Sequence, residues 1–139
     1  MKKLILLMLI TFGAIQVQAQ NKMLLNCEIL KDNKKLHKND NFKVTIIDNA
    51  LNSKEILVND KLLYHLEYNR EYTILFEYNG CQAKSIYFNN YTNNATLNQT
   101  CYFRIDLKES FDTSILHVAE VYYDSSTLSF SYKLLTKEL

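Results

Sequence analysis

The side chains with the widest chemical reach in this chain are three cysteines, three histidines and two arginines. Cys27, Cys81 and Cys101 permit one internal disulfide and leave one thiol over. A thiol nucleophile needs a lowered pKa and a base beside it. Cys81 is the one cysteine at a turn, and no Gly-rich segment near it supplies oxyanion donors. His37, His65 and His117 lie in separate segments, without the His-x-His or Glu-x-x-His spacing that puts two ligands on one metal face. His65 falls on an outward register and His37 in a lysine-rich turn region, so both read as solvated. His117 precedes an apolar run and fits either surface or core. There is no Gly-x-Ser-x-Gly, and two glycines cannot build a phosphate loop. With no convergent acid, base, nucleophile or metal set, the expectation is a non-catalytic protein that needs no cofactor.

Tyrosines and asparagines are the other unusual groups. Tyr64, Tyr68, Tyr72 and Tyr132 fall on inward registers, with hydroxyls able to reach a rim. Tyr87, Tyr91, Tyr102, Tyr122 and Tyr123 fall outside that set and form a candidate exposed aromatic patch for a carbohydrate or protein partner. Residues 89–100 hold five Asn and no charge, with Asn-x-Thr triplets at Asn90, Asn94 and Asn98. In a eukaryotic secretory protein these would accept glycans. Beside a bacterial-type leader they read as compositional bias.

That leader is Met1–Ala19. Lys2 and Lys3 give a positive start, Leu4 to Ile15 an apolar run of about twelve residues, and Val17-Gln18-Ala19 a small-residue exit. The run is too short to cross roughly 30 Å of hydrocarbon as a permanent helix. Cleavage after Ala19 is expected, leaving an exported chain, periplasmic or secreted, without a transmembrane segment. It would carry 14 basic against 15 acidic side chains, a net of −1. That balance gives no footprint for nucleic acid. Export makes disulfides chemically permissible, and about 120 remaining residues can fold on an apolar core alone.

Five segments alternate apolar and polar residues: Phe42–Ile46, Leu62–Tyr68, Tyr72–Tyr78, Phe103–Lys108 and Leu128–Leu134. Period-two alternation rich in β-branched and aromatic residues is the pattern of half-buried strands. Asp48-Asn49, Asn59-Asp60, Asn69-Arg70, Asn79-Gly80 and Asp124-Ser125-Ser126 supply turns, Asn and Asp replacing the scarce Gly and absent Pro. Strands are predicted near 23–30, 41–48, 54–59, 61–68, 71–78, 82–89, 101–108, 115–123 and 127–135. The segment 109–120 accommodates a short helix as well as a strand. The fold class is all-β, a two-sheet, antiparallel-dominated sandwich. Residues 20–139 are read as one domain, with a core at 24–108 and a C-terminal β-hairpin extension at 109–139.

The run Leu62-x-Tyr64-x-Leu66-x-Tyr68-x-x-x-Tyr72-Thr73-Ile74, then Asn79-Gly80, then Lys84-x-Ile86-x-Phe88, resembles the carboxypeptidase-regulatory-like, transthyretin-type domains of Gram-negative envelope proteins. Val118-Ala119-Glu120-Val121-Tyr122-Tyr123-Asp124 with Phe130-x-Tyr132 is similar to the C-terminal extension of some secreted members. Cys81 stands where members place a Tyr, and Asp32-Asn33-Lys34 replaces their Gly-containing corner. One enzyme branch opens a purine-derived ring with His and Arg and ends in Tyr-Arg-Gly-Ser. Here Thr136-Lys137-Glu138-Leu139 stands instead, so that activity does not carry over. The first strand of that fold lies parallel beside the seventh. The resemblance therefore implies that Cys27 and Cys101 come close enough to bridge, with Cys81 unpaired. Closing so long a loop is worth about 4 kcal/mol in the chain-entropy model; the alternative is buried free thiols packed as small hydrophobes.

The functional expectation is an exported, non-catalytic β-sandwich with a binding or structural role in the periplasm or envelope, its partner another envelope protein or a glycan. Two other readings make distinct demands. A transthyretin-related hydrolase needs Arg70 or Arg104 beside a histidine, and a small-ligand carrier needs a deep apolar pocket between the sheets.

Overall fold

The computed structural model describes residues 22–93 and 98–137; the expected leader, residues 1–19, and Asn94 lie outside them. Nine strands form: β1 (Lys22–Lys31), β2 (Phe42–Asp48), β3 (Ser53–Val58), β4 (Lys61–Glu67), β5 (Glu71–Glu77), β6 (Lys84–Asn89), β7 (Thr100–Leu107), β8 (Leu116–Asp124) and β9 (Ser129–Leu134). Each lies on a segment that alternation or turn chemistry marks in the sequence. Residues 109–115 form no helix, and β8 takes up the remainder of the ambiguous segment.

The strands build two sheets, ordered β4-β1-β7 and β3-β2-β5-β6-β8-β9. Five of the seven strand pairings are antiparallel; β1–β7 and β6–β8 are parallel. The C-terminal hairpin β8–β9 extends the large sheet through the parallel β6–β8 pairing. No helix among the described residues is long and apolar enough to cross a membrane.

The inward registers form one core. Met23, Leu25, Cys27 and Ile29 of β1 lie opposite Val44, Ile74, Phe76, Ile86 and Phe88 of the large sheet, all fully buried. Phe88 and Phe103 meet edge-on across the layers at 6.1 Å. Burial of side chains this size stabilises by about 1.5–3 kcal/mol each, which is why two layers of alternating strands close without a disulfide. Lys84 shares the inward register of Ile86 and Phe88 and is only 2% exposed. A register shift after Ser85 lets both Val118 and Ala119 turn inward despite being consecutive.

The turns confirm the role of Asn and Asp. Asp32, Asn33 and Asn69 take positive φ, as does Gly80. The Asp32–Asn33 corner is held by Asp106, whose buried carboxylate accepts the Asn33 amide at 2.9 Å and pairs with Lys108. Leu51 and Leu128 also take positive φ, with no side-chain chemistry to favour it.

Candidate functional site

At one end of the large sheet a polar concavity of about 730 Å³ opens between two loops. Its floor is Lys43 of β2, Leu57 of β3 and the β5–β6 turn from Glu77 to Cys81. One wall is Asn39-Asp40-Asn41, the approach to β2; the other is Ser110, Asp112 and Thr113, the loop after β7. Both walls are pinned. Asn59 donates through Nδ2 to the carbonyls of His37 (2.9 Å) and Asp40 (2.7 Å). The opposite loop is built on Asp112, whose carboxylate accepts the Ser114 amide (2.8 Å) and Gln82 Nε2 (3.1 Å). The Ser110 amide donates to Gly80 O at 3.0 Å and Gln82 N to Lys108 O at 3.1 Å, fastening that loop to the β5–β6 turn.

The cleft is weakly acidic. Lys43 is neutralised by Glu77 at 2.9 Å, with Glu55 at 3.8 Å, and the Glu77 hydrogen bond raises the Lys43 pKa. Backbone and side-chain bonds from Ser114 lower that of Asp112, which stays ionised. Asp40 adds a second exposed carboxylate. The side-chain amides of Asn39, Asn41 and Asn79 make no hydrogen bond among the described residues and are exposed. Each carries two donors and an acceptor open to a ligand.

The cysteine pairing implied by the family resemblance does not form. Cys27, Cys81 and Cys101 are free thiols. β1 and β7 are parallel neighbours as expected, yet the register sets Cys101 against Leu25 and Cys27 against Phe103. A two-residue stagger on adjacent strands separates the Cα atoms by roughly 8 Å, beyond bridging range. Both thiols share the inward face, and Cys101 Sγ instead contacts Met23 Sδ at 3.4 Å. Burial raises the Cys27 pKa strongly and pushes that of Cys101 up to about 11. Cys81 lines the cleft floor; burial raises its pKa too, with nearby Lys31 opposing.

The five tyrosines do not assemble into one patch. Tyr87 and Tyr122 share the outer face of the large sheet, opposite Glu120 and Asn89 of each other's strands, with Tyr91 exposed just past β6. Tyr102, 71% exposed, stands on the outer face of the small sheet, the opposite side of the sandwich. Tyr123 turns inward, edge-on to Phe130 at 5.4 Å. Tyr122 and Tyr123 lie past the register shift, where regular alternation sends consecutive side chains to opposite faces. Tyr132 lies on the inward register against Phe103 (5.7 Å) but stays 59% exposed. It belongs to an edge strand beside a second hollow, of about 260 Å³, between β7 and β9.

His37 and His65 are exposed, as their positions predicted. His117 joins Ser85 across β6 and β8, Oγ to Nδ1 at 2.5 Å, a pair with no sequence signature because its partners lie 32 residues apart. Ser85 is 1% exposed, so a substrate carbonyl has no approach to its oxygen. Arg70 pairs with Glu67 (3.0 Å) and Asp48 (3.7 Å), and Arg104 with Glu28 (3.0 Å). Of the Asn-x-Thr triplets, Asn90 is fully buried, with its main chain bonded to Asn69 and Arg70. Asn98 is exposed.

No protein-family model matches the chain, and no curated protein matches it. Among solved structures the chain is similar to one titled "Crystal Structure of S.CueP", at 20% sequence identity and a TM-score of 0.39, over 58% of this chain and 59% of that one. The chain thus spans under two thirds of that protein's length.

Proposed function

We propose that the chain is an exported, non-catalytic β-sandwich module of the transthyretin-like, carboxypeptidase-regulatory-like kind, which binds a partner in the periplasm or envelope through the polar cleft. The cleft carries this reading: both its walls are fixed by hydrogen bonds, while the amides lining it are left open. Preorganisation of this sort lowers the ordering cost of binding. The leader layout of residues 1–19 supports export, and the parallel β1–β7 pairing supports the kinship. The test is capture from envelope extracts on the immobilised mature chain. Wild type retains a component that Thr113→Trp, an exposed plug in the cleft wall, fails to retain. Equal retention by both, or by neither, contradicts the reading.

A further inference from the structure

We infer that the ligand of the cleft is a neutral oligosaccharide; the inference rests on the binding role assigned above to this site. Sugar hydroxyls donate and accept at once, so the matching protein group is one that does both, and a side-chain amide is such a group. Asn39, Asn41 and Asn79 offer three around one cavity, beside the acceptor carboxylates of Asp40 and Asp112. The remaining recognition element for a sugar is an aromatic face for its apolar C–H surface. Phe111 provides it. Its side chain is fully exposed, at 106%, and it stands between the lining residues Ser110 and Asp112 on a loop that hydrogen bonds hold in place. An apolar ring so displayed on a pinned loop has no packing role.

Charge narrows the class. The cationic group on the floor, Lys43, is committed to Glu77 and Glu55, whereas the side chains of Asp40 and Asp112 are exposed and hydrogen bonds from Ser114 keep Asp112 ionised. A phosphate, a uronate or a nucleic acid would meet net negative charge here. A neutral sugar meets the donors and acceptors of the amides without that penalty.

The test titrates the mature chain separately with cellotetraose, chitotetraose and maltotetraose, with tetragalacturonate as the acidic control, by calorimetry. At least one neutral probe is expected to saturate, with tetragalacturonate binding at least tenfold more weakly. Phe111→Ala is expected to weaken that affinity about five- to tenfold. Asn41→Ala, an exposed change that leaves the fold intact by circular dichroism, weakens it severalfold. The inference is overturned if no neutral probe binds, or if both variants bind as wild type does. Periodate and protease treatment of the envelope extract separates the two readings. A component that only periodate removes supports the sugar. One that only protease removes leaves the binding module standing and refutes the sugar. If Thr113→Trp captures the same material as wild type, the cleft has no part in binding.

Discussion

Asn59, in the β3–β4 turn, reaches back to the Asp40 carbonyl at 2.7 Å and ties the first wall of the cleft to a hairpin nearly twenty residues further on. With its second bond, to His37, it fixes a segment that forms a turn but no helix or strand. Asn59→Ala removes both. The loss in stability is expected to be about 1–2 kcal/mol by denaturant unfolding. Exchange of the Asp40 amide, which donates to His37 O, should accelerate well beyond what that loss accounts for. Unchanged Asp40 exchange would mean that the wall is held by something else.

Gln99 does for β9 what a neighbouring strand would do. Its amide accepts from Phe130 N at 2.7 Å and donates to Phe130 O at 2.9 Å, capping the free edge beside the smaller hollow. Gln99→Ala leaves that main-chain pair to water and should cost about 1–2 kcal/mol. Gln99→Glu keeps the acceptor but sets a carboxylate oxygen against the Phe130 carbonyl, so it should cost at least as much near neutral pH. A Glu variant as stable as wild type at pH 7 contradicts this geometry.

Leu51 and Leu128 sit at φ 62° and 54°, and both side chains are largely exposed. The left-handed region costs an ordinary L-residue about 1–2 kcal/mol, while Asn tolerates it. Leu51→Asn and Leu128→Asn should therefore each stabilise the protein by about 0.5–1 kcal/mol. Thermal or denaturant melts read the sign directly, and destabilisation by both would contradict the turn geometry.

The thiols carry a pH signature. Burial raises Cys101 to about 11 and Cys27 further, against about 8.5 in an unfolded chain. The fold therefore favours the protonated thiols. Their contribution to stability is complete below about pH 8.5 and declines as pH rises from there towards 11, because the unfolded chain releases its protons first. Cys101→Ala should flatten that decline. Non-reduced mass spectrometry should find three free thiols. Disulfide reagents should label the partly exposed Cys81 first and Cys27 only on unfolding. A Cys27–Cys101 bridge in the protein would require a two-residue slip of β1 against β7.

Much of the fold was legible because alternation is a local signal. Phe42, Val44 and Ile46, or Phe103, Ile105 and Leu107, declare their inward face within five residues, and Asn and Asp mark the corners that Gly and Pro do not. Strand neighbours are a different matter. Which residue of β1 faces which residue of β7 is set by the packing of whole layers, and a two-residue difference there turned an expected disulfide into two separate thiols. The tyrosine patch failed for a reason the sequence did contain, the adjacency of Tyr122 and Tyr123. The cleft was out of reach altogether. Its walls at Asn39–Asn41 and Ser110–Thr113 lie about seventy residues apart, and the bonds of Asn59 and Gln82 that pin them cross the fold. Lys84 and Ser85 likewise look like surface residues, yet Lys84 faces the core and Ser85 meets His117 of β8.

The most direct test of the binding reading is site-specific photo-crosslinking in the cells that produce the protein. A benzophenone side chain replaces Thr113 in the cleft wall, Tyr122 on the outer face of the large sheet, or Tyr102 on that of the small sheet. Irradiation is predicted to yield a discrete, higher-mass adduct from position 113 and none from 122 or 102. An adduct from 122 or 102 with none from 113 would contradict the account and move the binding surface away from the cleft.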